Sequence, residues 1–185
     1  MDYKEYKNSR NLSWEILLRE GVCELPVRTS ALCKKMGIKL VYGPQEQGSD
    51  GYSTIVDGSM YVIIRKGLPI GRTRFTVAHE MGHILLGHVG TFHLVNREPS
   101  GSDNPIESEA NVFASRLLAP ACVLWGCGVT TAEEIAELCD ISLQAAQIRA
   151  ERMEVLRNRG KFLVSPLEQR VYEQFQTFIS DYLSR

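Results

Sequence analysis

The segment Arg74-Phe75-Thr76-Val77-Ala78-His79-Glu80-Met81-Gly82-His83-Ile84-Leu85-Leu86 decides how this chain is read. Its apolar residues recur at helical spacing, and it contains a His-Glu-x-x-His run. In an α-helix, residues four apart lie roughly 6 Å along the axis and about 40° around it, so His79 and His83 project from one face. Two neutral imidazoles placed in this way can hold a single Zn²⁺ without bending the backbone. Glu80 stands one position round from His79, where its carboxylate can reach a water on the metal and take its proton. Between Phe75 and His88, Glu80 is the only Asp, Glu, Lys or Arg. A lone carboxylate in so apolar a helix is costly unless something pairs with it. The pattern points to a metal site rather than to a coincidence on a core helix.

A catalytic zinc takes a third protein ligand and leaves its fourth position to water. A third histidine six residues beyond His83 would be one solution, but that position is Val89. His88 falls on the opposite face of a continuing helix and is expected at the surface or at the helix end. The other solution is a Glu from a second helix, in the pattern Glu-x-x-Ala followed by Asp or Asn. Glu107-Ser108-Glu109-Ala110-Asn111 supplies it. Glu107 shares a helical face with Ala110, Asn111, Ala114 and Leu118, whose small residues would let that face pack on the motif helix. Glu109 points toward the side of Arg116 and reads as a solvated charge. Asn111 is placed to hold a ligating histidine by its free ring nitrogen. Two imidazoles and a carboxylate favour zinc over harder or softer metals.

Outward from these two blocks, Asn11–Gly21 and Val27–Met36 read as short helices, the second ended by Gly37. Three β-like runs follow, Ile38–Tyr42, Tyr52–Val56 and Met60–Arg65, with a hairpin signal at Asp57-Gly58. The motif helix is expected from about Gly71 to Gly87. The second ligand helix is expected over Pro105–Leu118, with Asn104 and Pro105 as N-cap and first helical residue. Helices at Thr131–Leu138, Ser142–Asn158 and from Pro166 complete the chain. The fold class is α+β: a small antiparallel sheet followed by the metal helix, the order of elements in a minimal zincin-like protease. The expected domains are a metallopeptidase-like domain over residues 1–125 and a helical region over 126–185.

With 185 residues, 44% of them hydrophobic and 23% charged, the chain has room for one substantial core, or for one core with a small appended module, and the composition of an ordinary globular protein. Its net charge of −1 gives no global pull toward nucleic acid. No apolar stretch approaches membrane-spanning length, and the start is too polar for a secretion signal, so a cytoplasmic location is expected. Cys23, Cys33, Cys122, Cys127 and Cys139 are irregularly spaced and read as reduced, structural thiols.

The block Arg74–His83, followed by Glu107-x-x-Ala110-Asn111-x-Phe113-Ala114-x-x-Leu117-Leu118-x-Pro120, resembles the ImmA/IrrE family of metallopeptidases over roughly Leu25 to Pro120. The resemblance implies a zinc-dependent endopeptidase whose protein substrate is a helix-turn-helix repressor of a mobile element or stress response. In that reading His79, His83 and Glu107 bind Zn²⁺, and Glu80 is the general base and acid. His93 and Tyr61 are both candidates to stabilise the oxyanion, and the sequence does not select between them. Met60–Arg65 is a candidate edge strand for an extended substrate.

Thr131–Met153 itself has a helix-turn-helix look, with Asp140 at the tight turn where Gly is common. Arg149, Arg152 and Arg157 are offset by Glu151 and Glu154, so a structural hairpin is favoured over direct DNA contact. The alternative function is a DNA-binding or protein-binding regulator with a structural or sensory zinc. An intact Glu80 argues against it, because holding zinc needs only the ligands.

Overall fold

A computed structural model describes residues 2–44, 49–90 and 104–184. The described elements run α1 (Tyr3–Arg19), α2 (Thr29–Lys35), β1 (Lys39–Gly43), β2 (Gly51–Val56), β3 (Ser59–Arg65), α3 (Ile70–Leu85), α4 (Pro105–Leu118), α5 (Ala121–Gly126), α6 (Ala132–Cys139), α7 (Leu143–Asn158), α8 (Pro166–Gln174) and α9 (Gln176–Leu183). The α+β class follows directly. None of these helices is long and apolar enough to cross a membrane.

The chain divides into two compact units. One comprises Met1–Ser9 with Arg28–Ala114, and the other Arg10–Val27 with Ser115–Arg185. In the first, β2 and β3 form the expected hairpin around Asp57 and Gly58. Both of those residues are left-handed, with φ of 48° and 73°. The sheet departs from expectation in its third member, because β1 pairs with β3 in parallel, giving the order β1-β3-β2. The sheet is therefore mixed rather than antiparallel. β3 is its central strand, so Met60–Arg65 is not an edge. Alternation along a strand specifies its faces but says nothing about which strand lies beside it.

One face of the hairpin carries Gly51 opposite Ile64 and Ser53 opposite Val62, and it packs under α3. A Cβ on Gly51 would stand 2.7 Å from Thr76 Cγ2, so β2 can begin beneath the helix only as glycine. Sheet and helices cover α3 so thoroughly that Thr76, Val77, Ala78, Glu80, Met81, Gly82, His83 and Ile84 are all buried. Periodicity alone anticipates burial of one stripe; burial on several sides is what makes a polar residue here costly.

The second unit gathers Trp14, Leu17, Leu117, Leu124, Ile135, Met153, Val171 and Phe175 into its core. Here α5 was not anticipated, α1 starts earlier than expected, and the last helical stretch is two helices that meet at Phe175. Thr131 caps α6 through a reciprocal capping box with Glu134. Asp140 takes the left-handed turn position at φ 48° and ψ 54°. Arg149 is buried and donates from Nε to the Ala119 carbonyl at 2.8 Å, while Arg157 donates to Val129 O at 2.8 Å. All five cysteines are free, four of them buried, and burial pushes the Cys33 and Cys122 thiols up to about 12.

Candidate metal centre

The site is built where α3 and α4 approach closely. A Cβ on Gly82 would lie 3.0 Å from Phe113 Cδ1 and 3.3 Å from Ala110 Cα, so Gly82 and Ala110 set the distance between the two backbones. Asn104 opens α4 as expected, its Oδ1 accepting from the Ile106 amide at 3.1 Å. Glu107, in the first turn, is thereby carried to the two histidines of α3.

His79 Nε2 and His83 Nε2 stand 3.0 Å apart. Glu107 Oε2 is 3.2 Å from the first, and Oε1 is 3.4 Å from the second. Among the described residues, these three form a group whose ligand atoms all lie within 4.8 Å of one another. A tetrahedral zinc with bonds of roughly 2.0–2.1 Å has donor-to-donor edges of about 3.3 Å, so the triangle has the right size. Glu107 Oε1 is buried and, among the described residues, satisfied by no hydrogen bond. The His79 and then the His83 ring hold the Glu107 carboxyl well below the usual carboxylate range. Two ring nitrogens facing a carboxylate, with one of its oxygens left over, fit a divalent cation.

The remaining residues surround this triangle unequally. Asn111 Oδ1 lies 3.0 Å from His79 Nδ1, on the ring nitrogen turned away from the cluster. Glu80 is buried, and Ser53 of β2 donates its hydroxyl to Oε2 at 2.9 Å. Sequence reasoning missed Ser53, because only the sheet register shows that a serine on β2 lies on the face beneath α3. Tyr61 is not brought to the cluster. It pairs with Thr54, whereas Ser53 and Val62 define the face toward α3, and its Oη is bonded by Lys39 Nζ at 3.1 Å. That ammonium lowers the Tyr61 hydroxyl below its ordinary value. His93 lies outside the described residues.

Glu109 is not the solvated charge expected, and His88 lies at the helix end, one of the two places expected for it, but turned inward. The α3 helix stops at Leu85, Gly87 turns left-handed at φ 77°, and His88 folds back onto the helix. Its Nδ1 is 3.1 Å from His83 Nδ1, the rings meeting edge to face with centroids 5.2 Å apart. Glu109 Oε2 lies 3.8 Å from His88 Nε2, and both side chains are largely covered. Burial, and then the neighbouring His83, lowers His88 to about 4, while burial raises Glu109. The helical-wheel argument failed here because the wheel ends before His88. Gly87 was the signal that could have shown it.

A family model described as Peptidase_M78, IrrE N-terminal-like domain, matches residues 33–151 and so spans both α3 and α4. No curated relative matches the chain significantly.

Proposed function

Because the chain belongs to the Peptidase_M78 family of IrrE N-terminal-like domains, a metallopeptidase family, we propose that it is a zinc-dependent endopeptidase that cleaves a helix-turn-helix repressor. The observation that carries this reading is the convergence of His79 Nε2, His83 Nε2 and the Glu107 carboxylate beside a buried, hydrogen-bonded Glu80. His79, His83 and Glu107 would hold Zn²⁺, which when bound acidifies water and polarises the scissile carbonyl. Asn111 fixes the His79 ring so that its Nε2 faces the cluster. Glu80 takes the proton of the attacking water and returns it to the leaving amine. Ser53 leaves one carboxylate oxygen of Glu80 bonded and the orientation of the group set.

An extended substrate can add only at an edge of the sheet. Of the two edges that the described strands leave, β2 is the one whose Ser53 touches Glu80, so β2 replaces β3 as the strand along which the peptide lies. Direct DNA binding is not part of this reading, because two of the three arginines that α7 carries, Arg149 and Arg157, donate to backbone carbonyls of their own unit.

Incubation of the full chain with its helix-turn-helix repressor substrate, sought first among any repressors encoded next to it, should give discrete fragments, lost on chelation and restored by Zn²⁺. Glu80→Gln should keep zinc and slow cleavage by about 10²–10⁴-fold, since a nearly isosteric amide cannot accept the proton. Cleavage by Glu80→Gln at the original rate would sink the mechanism. Loss of zinc from that variant would assign Glu80 a structural role instead.

A further inference from the structure

The backbone at the end of α3 forms a Schellman motif. Gly87 N–H bonds to Ile84 O at 3.2 Å, and His88 N–H bonds to His83 O at 2.9 Å. This motif brings the side chain two places beyond the helix cap against the one at the third residue from the helix end. In this chain those two residues are His88 and His83. The turn therefore delivers an imidazole onto the back of a histidine whose front faces Glu107.

The proton arrangement follows from the distances. If His83 Nε2 is to offer a lone pair to a metal, its Nδ1 must carry the ring proton and needs an acceptor. The His88 Nδ1, 3.1 Å away, is positioned to accept it. His88 is then the tautomer protonated at Nε2, and the Glu109 carboxylate, 3.8 Å from that nitrogen, favours it electrostatically. His79 has the same requirement, met by the Asn111 carbonyl oxygen at 3.0 Å.

We propose that His88 is a positioning residue of the metal centre, accepting the Nδ1 proton of His83 as Asn111 accepts that of His79. The inference rests on the zinc reading above and extends it. Removing such an outer partner typically weakens metal binding by about 10–100-fold. Histidine and asparagine place their Nδ1 and Oδ1 atoms alike, so His88→Asn retains an acceptor. His88→Leu keeps bulk and an apolar partner for the turn but has no acceptor.

Zn²⁺ affinity of the full chain, measured by competition with a chromophoric chelator, separates these cases. His88→Leu should bind zinc about 10–100-fold more weakly while the metal-free protein keeps its helical circular dichroism and melting temperature. His88→Asn should stay within a few-fold of the unaltered chain. Unchanged affinity in His88→Leu would overturn the proposal. So would equal weakening in both variants, which would assign the effect to ring packing. Should His88→Leu fail to fold, weakened zinc binding by a folded His88→Asn would overturn it and retained binding would support it. Failure of the unaltered chain to bind zinc would instead remove the reading beneath it, and this inference with it.

Discussion

The helices α3 and α5 end in the same way and put the ending to different uses. Each is followed by a left-handed glycine, Gly87 at φ 77° and Gly128 at φ 71°. Each closes with the same pair of backbone bonds: Gly128 N–H to Trp125 O and Val129 N–H to Leu124 O in α5, matching Gly87 to Ile84 and His88 to His83 in α3. In α5 the side chains brought together are Val129 and Leu124, both buried and apolar. This is the ordinary use of the motif, where an apolar contact reinforces the turn. In α3 the same geometry brings together two imidazoles, one of which also faces a carboxylate. The backbone device is indifferent to what it carries. What distinguishes a packing turn from a site is what the carried groups face: His83 faces Glu107, whose buried Oε1 has no hydrogen bond among the described residues.

The comparison is tested most strongly on the packing side. Leu124 is fully buried, so Leu124→Ala should cost about 2–5 kcal/mol by removing apolar contact and leaving a cavity. Zn²⁺ affinity of the protein that remains folded should not change. Chemical denaturation and metal competition on the same preparation would check this. A fall in zinc affinity without loss of folded protein would show that the two helix ends are not independent in function.

The same contrast explains what could be read from sequence and what could not. The spacing of His79 and His83, and the pattern around Glu107 and Asn111, are properties of single helices. A 3.6-residue period places their faces without knowledge of any neighbour. α4 accordingly begins at Pro105 and ends at Leu118, as its cap and the proline beyond it indicate. Ser53, by contrast, meets Glu80 only because β2 lies under α3, and that depends on pairing across the sheet. The parallel placement of β1 against β3 is likewise a choice among neighbours, which the alternation of each strand leaves open. His88 lies between these cases. Its position is local, but it is governed by a glycine that ends the helix, and extending the wheel past Gly87 places it on the wrong side.

A paired substitution at the two glycines sharpens the comparison. A Cβ at either position meets no atom of the described residues within 4 Å, so the cost of alanine is that of the left-handed backbone. Gly87→Ala and Gly128→Ala should each destabilise by about 1 kcal/mol or somewhat more. Only Gly87→Ala should also weaken zinc binding, because it alone disturbs the turn that holds His88 against His83. Equal zinc affinity in the two variants, measured beside their melting temperatures, would mean that the turn of α3 does nothing for the metal.

The smallest effect is expected at a third helix end that uses the same backbone bonds without glycine. After α6, Asp140 N–H bonds to Glu137 O and Ile141 N–H to Ala136 O, with Asp140 at φ 48°. Aspartate is among the few non-glycine residues that enter this region readily, since its short polar side chain bonds locally. Asp140→Gly removes the remaining backbone penalty but gives the unfolded chain more freedom, a cost of roughly 0.5–1 kcal/mol. The two nearly cancel, leaving a stabilisation of about 0.5 kcal/mol or less. Zinc affinity should be untouched. A clear destabilisation in urea titrations would mean that contacts of the Asp140 carboxylate outweigh the strain, and that this turn, like the one after α3, depends on the side chain it carries as well as on its backbone.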